Sequence, residues 1–116
     1  MPYRILHNPR CSKSRAALAL LEQAGLDIEI IRYLDTPPSA AELTAILAAI
    51  DVPPAAVVRR KEARELGLAP IAADSDAAYV AKVLAAHPQA IERPIVVAPS
   101  GAAVLGRPPE NITALL

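Results

Sequence analysis

Phenylalanine and tryptophan are absent from this chain of 116 residues, and its only aromatics are Tyr3, Tyr33 and Tyr79. Its core must therefore be aliphatic, built from Leu, Ile, Val and many Ala. Cysteine is nearly absent too. The single residue, Cys11, excludes an internal disulfide framework and supplies too few ligands for a zinc site. No run of 18 apolar residues occurs, so no segment is expected to cross a membrane. The opening Met1-Pro2-Tyr3-Arg4 is not followed by the long apolar stretch of a signal peptide, and the cytoplasm is the expected compartment. A surplus of either charge is also missing, with 12 Lys and Arg against 12 Asp and Glu. That balance argues against a nucleic-acid binder, which needs a basic face to displace counterions from phosphates.

Apolar residues make up 53% of the sequence, as in a globular protein. The length suits a single domain over residues 1–116, burying roughly two thirds of its unfolded surface. Tyr3 to His7 reads as a buried strand. Ser12 to Ala24 reads as a helix with Ala17, Leu18, Leu21 and Ala24 on one face and Gly25 just past its end. Ile28 to Tyr33, rich in β-branched residues, is a second strand, so the chain opens with a βαβ unit. A turn at Asp35-Thr36-Pro37-Pro38 leads to the capping box Ser39-Ala40-Ala41-Glu42 and a helix to about Ile50. Pro53 and Pro54 open another helix to about Leu66, and a loop from Gly67 leads to a further helix over Asp76 to Ala86. Ile95 to Ala98 and Ala102 to Leu105 form a hairpin, and Pro108-Pro109-Glu110 begins a last helix. The order βαβ, helical insertion over about 39–87, then ββα predicts an α/β thioredoxin-like fold, a four-stranded mixed sheet flanked by helices.

Cys11 lies between a strand and a helix. Free backbone N–H groups and the positive end of the helix dipole would there stabilise a thiolate. Arg10, Lys13, Arg15 and a protonated His7 would act in the same direction, and no acid follows until Glu22. The alternative is a buried, inert thiol, since free cysteine is among the most buried residue types. Residues 7–15 are too polar for core, which favours reactivity. A positive spot on a neutral protein suits a small anion better than a polyanion.

The segment His7-Asn8-Pro9-Arg10-Cys11-Ser12-Lys13-Ser14-Arg15 resembles the active-site loop of the glutaredoxin-coupled arsenate reductases. Tyr33-Leu34-Asp35-Thr36-Pro37-Pro38, Val57-Val58-Arg59-Arg60, Glu92-Arg93-Pro94-Ile95-Val96-Val97 and Gly106-Arg107-Pro108 extend the likeness in order along nearly the whole chain. The resemblance implies Cys11 as nucleophile, His7 keeping it ionised, and Arg59, Arg93 and Arg107 holding the oxyanion. Asn8, Ser14 and Arg15 would support the loop. It implies no bound cofactor or metal, glutathione as co-substrate, and glutaredoxin as protein partner. It also implies a cis Arg93–Pro94 bond, which would aim Arg93 at the cysteine. The choice of Arg59 over its neighbour Arg60 rests on that alignment alone. Related enzymes often carry a longer tail beyond the position of Leu116; activity without it is compatible with the resemblance, while a glutaredoxin contact could be lost.

Elementary electrostatics supports the arginines independently. A thiolate meeting an arsenate anion costs roughly 4 kcal/mol at 4 Å and an effective dielectric of 20. Arginine forks offer bidentate donors of comparable strength that stay protonated. Activating the thiol is not enough alone. Lowering a cysteine pKa from about 8.5 to about 6.5 raises the thiolate fraction at neutral pH about 25-fold. Reduced nucleophilicity takes back about 8-fold. Positioning and charge neutralisation must supply the remainder.

Two other readings compete. One is a glutathione-dependent thiol oxidoreductase that handles no arsenic. The other is an Spx-like regulator that binds RNA polymerase, disfavoured because Ser14 stands where its Cys-x-x-Cys switch has the second cysteine. The Cys-x5-Arg loop of low-molecular-weight phosphatases is missing, since position 17 is Ala17. Tyr33 and Tyr79 read as packing or rim residues, and His87 as a helix-end residue.

Overall fold

In a computed structural model describing residues 1–116, four short strands form one mixed sheet: β1 (Tyr3–Leu6), β2 (Ile28–Ile31), β3 (Ile95–Val97) and β4 (Ala103–Leu105). Their spatial order is β2-β1-β3-β4. β1 runs parallel to β2 and antiparallel to β3, which pairs antiparallel with β4. The parallel pair requires a crossover, and α1 (Ser12–Gln23) supplies it. This is the thioredoxin-like arrangement expected from the sequence.

Alternation along the strands divides the core into two layers. Ile5, Val96 and Val104 pack on one side of the sheet with Ala17 and Leu21 of α1 and with Ile112. Leu6, Ile95, Val97 and Leu105 face the other side, against Leu43, Ile46 and Leu47 of α2 (Ala40–Ala49) and against Val80, Ala81 and Leu84. β3 is therefore buried on both faces, which explains its unbroken Ile-Val-Val run. Ser39 caps α2 as its sequence implies, accepting from the Glu42 N–H while Glu42 accepts from the Ser39 N–H, each at 3.1 Å. Gly25 takes φ +71° just beyond α1, the left-handed conformation that ends a helix there.

Four expectations need adjustment. The buried stripe of α1 is Ser14, Ala17 and Leu21; Leu18 is half-buried, and Ala24 is exposed at the helix end. β2 stops at Ile31 because the Arg32 carbonyl turns the chain by accepting from the Asp35 and Thr36 N–H groups, each at 2.9 Å. The region 54–66 is not one helix. A 3-10 turn (Pro54–Val57) is separated from α3 (Arg60–Glu65) by an extended step, where Val58 pairs with Ile91. The Arg59 N–H donates to Ala90 O and the Glu92 N–H to Val57 O, both at 2.7 Å, so pairing with a distant segment overrides helical propensity. At the C-terminus, Pro109–Leu115 forms a 3-10 helix, with the Thr113 hydroxyl donating to Glu110 O at 2.8 Å and Ile112 buried.

The remaining insertion helix is α4 (Ala77–Ala86), capped by Asp76, whose side chain accepts from the Tyr79 N–H at 2.8 Å. It packs along α2, and His87 closes its end. The Arg93–Pro94 bond before β3 is cis, as expected, and so is Arg107–Pro108 after β4.

Candidate active site

The loop 8–11 is shaped by its own polar groups. Asn8 Oδ1 accepts from the Arg10 N–H and Asn8 O from the Cys11 N–H, both at 3.0 Å. Arg15, one turn into α1, donates from Nη1 to Pro9 O at 2.8 Å. Ser14 is fully buried, and its Oγ accepts from the Asn8 N–H at 3.0 Å while lying 2.7 Å from His7 Nδ1. These bonds hold Cys11 at the N-cap of α1, partly exposed and in extended conformation (φ −93°, ψ 120°).

Burial is the largest single influence on the Cys11 thiol and raises its pKa. The Ser14 N–H, the Arg93 guanidinium and the Lys13 N–H together outweigh it, so the net pKa is lowered. The sulfur makes no conventional capping bond, yet those N–H groups are near enough to favour its anion. Alkylation of Cys11 by iodoacetamide is therefore expected to rise with pH through a midpoint below that of an ordinary thiol such as glutathione measured alongside. A midpoint equal to or above that of glutathione would rule out an activated thiol.

His7 needs a correction. Its expected role was a cation beside the sulfur, but it is 6% exposed, and burial, then Arg32 and Arg15, lower its pKa. The ring is neutral at pH 7 and touches Ser14, so it braces the loop from beneath.

The three arginines converge from separate segments. Arg93 precedes β3, Arg107 follows β4, and Arg59 stands in the extended step before α3. Arg107 Nη1 donates to Arg93 O at 3.0 Å. Arg59 donates from Nε to Glu62 and from Nη1 to Glu92 Oε1, both at 2.7 Å. The same Glu92 oxygen accepts from the Arg93 N–H at 3.3 Å and lies 3.5 Å from Arg107 Nη1. Glu92 thus ties the arginines together, a role that sequence reading missed because an acid is unexpected in an anion site. Arg60 points elsewhere. It is exposed and lines a hollow of about 250 Å³ with Val58, Ala63, Leu68 and Ile71.

Arg93 is the arginine nearest the chemistry, since it acts on both Cys11 and Tyr33. Its Nε is buried without a partner within the protein, as is the Tyr33 hydroxyl. No cluster of His, Cys, Asp or Glu could hold a metal ion. The arrangement is a thiolate beside cationic forks, suited to nucleophilic attack on a small oxyanion.

Residues 6–115 match the ArsC family. The chain belongs to that family. An arsenate reductase of Neisseria meningitidis is 48% identical over 116 residues, covering 97% of both chains. An arsenate reductase of Escherichia coli is 37% identical, over 97% of this chain and 79% of its own. The solved structure of an arsenate reductase from Vibrio cholerae superposes with a TM-score of 0.80 at 39% identity, covering 100% of this chain and 98% of that one. The ArsC chain therefore shares its thioredoxin-like fold with that solved arsenate reductase over its whole length.

Proposed function

We propose that this ArsC protein reduces arsenate to arsenite, with Cys11 as sole nucleophile and glutathione and glutaredoxin as electron donors. The observation that carries the reading is the lone, activated Cys11 beside Arg93. Relatives described as arsenate reductases, at 37–48% identity, support the substrate. In the reaction the Cys11 thiolate displaces an arsenate oxygen, which leaves as water after protonation, and a sulfur–arsenic bond forms. Arg93, Arg59 and Arg107 offset the charge that thiolate and oxyanion bring together. His7 and Ser14 fix the loop so that the sulfur is presented from the helix end.

Arsenate reduction consumes two electrons, the number two thiols release on forming one disulfide. Cys11 supplies one thiol and the chain has no other. Ser14, the residue that could have been a resolving cysteine, is buried in bonds to His7 and Asn8. Glutathione thus supplies the second sulfur, and glutaredoxin resolves the mixed disulfide by thiolate exchange. The glutathione-rich cytoplasm suits this chemistry, and no helix here is long and apolar enough to cross a membrane.

The test is arsenate-dependent NADPH oxidation. Turnover is expected with glutathione, glutathione reductase and glutaredoxin, and at most a few per cent of it with thioredoxin, thioredoxin reductase and NADPH alone. Sustained turnover with the thioredoxin system and no glutathione would falsify the donor assignment. Activity on glutathione mixed disulfides without any response to arsenate would sink the substrate assignment.

A further inference from the structure

Tyr33 is 0% exposed and is the largest fully buried side chain in the protein. Its ring belongs to the main core, among Leu6, Leu43 and Ile95. The hydroxyl is different, since it has no hydrogen-bond partner within the protein. Besides burial, the groups that act on it are Arg93, the Asn8 side chain, Arg59 and Cys11, so the hydroxyl lies on the side of the core toward the cysteine loop. Only two buried side-chain polar atoms in the chain lack partners, this one and Arg93 Nε. Arg93 is also the first of the charged groups that act on the Tyr33 hydroxyl.

An unpartnered buried polar group is costly, and native structures rarely keep two together without a use. The two have the same need. Arg93 Nε can only donate, and the surrounding arginines offer a phenol nothing to donate to. Asn8 Oδ1 is engaged by the Arg10 N–H, so the Asn8 amide can only donate toward the phenol oxygen and leaves the O–H itself with no acceptor. What the pair lacks is an acceptor with several oxygens, placed within reach of Cys11.

We propose that the Tyr33 hydroxyl donates a hydrogen bond to the oxyanion held beside Cys11, as an uncharged fourth member of the arginine cradle. The inference rests on the site being an oxyanion site, though not on arsenate being the natural anion. Burial keeps the phenol protonated, so it remains a donor across the neutral range. A ring locked in the core fixes one ligand oxygen more rigidly than a long arginine can. It does so without adding positive charge beside the thiolate.

Tyr33→Phe keeps the ring and removes only the hydroxyl. Protection of Cys11 from iodoacetamide, titrated with arsenate, phosphate and sulfate, measures anion binding directly. The half-protecting concentration is expected to rise about tenfold in the variant, with a parallel rise in KM for arsenate, the worth of one good hydrogen bond. Alkylation without anion should be unchanged, and the melting temperature equal or slightly higher, because a buried unpaired group has gone. Equal protection of both proteins overturns the proposal, as does a melting temperature several degrees lower, which would mean that the hydroxyl serves the fold. If phosphate or sulfate protects the wild type and arsenate does not, the arsenate reading fails, and Tyr33 is judged with the anion that binds. If no anion protects the wild type, the proposal falls.

Discussion

Cys11→Ser is expected to abolish arsenate-dependent NADPH oxidation with every electron donor while leaving the protein at least as stable. A serine hydroxyl is a weak nucleophile at its ordinary pKa, and the neighbouring His7 is committed to Ser14 instead of standing by as a base. It also cannot form the disulfide through which arsenic would receive two electrons. The N-cap position makes the comparison clean. Cys11 caps α1 without a conventional side-chain bond, whereas serine is among the preferred N-caps, usually better than unsuitable residues by about 1 kcal/mol. Activity at background with an unchanged or raised melting temperature is the expected result. Residual turnover above a few per cent would mean that Cys11 is not the reacting group.

Arg93→Lys should lower kcat/KM for arsenate about a hundredfold, comparable to losing one preorganised donor at a charged transition state. Arg93 lowers the Cys11 pKa, acts on the Tyr33 hydroxyl, and keeps its Nε buried without a partner in the protein. An ammonium keeps the charge but not the planar fork that meets two oxygens at once. The midpoint of Cys11 alkylation should accordingly move up, and KM for arsenate should rise. Arg60→Lys serves as the control, because Arg60 is exposed on a different hollow. It should leave kcat/KM within about twofold, in line with ordinary surface substitutions. Full activity in Arg93→Lys would show that positive charge alone, not the Arg93 fork, governs the reaction.

The elements legible in the sequence are those set by local chemistry. The Ser39–Glu42 capping box, Gly25 after α1 and the tight turn of the β3–β4 hairpin all act within a few residues. The break at Val58 and Arg59 was illegible because its cause lies more than thirty residues away, in the pairing of Val58 with Ile91. That break matters for the site. It turns Arg59 from a helix-surface residue into one facing Glu92. Motif reading also picked out the cysteine loop and the arginines that the structure brings together. It misjudged His7, whose neutrality follows from burial and two remote arginines. It read Tyr33 as a packing or rim residue; the ring packs in the core, and the unpartnered hydroxyl was not legible.

Glu92 has a thermodynamic consequence for any anion that arrives. A free arginine side chain gives up roughly 1.5–2 kcal/mol of rotamer entropy when it is ordered. Arg59 and Arg107 are already held by Glu62, Glu92 and the Arg93 carbonyl in the folded protein. For these two residues the loss falls at folding, so in the proposed role their unused N–H groups would meet an oxyanion already oriented. The carboxylate would then act as a template: an acid inside a cationic cluster that keeps its neighbours in the arrangement a negatively charged guest requires.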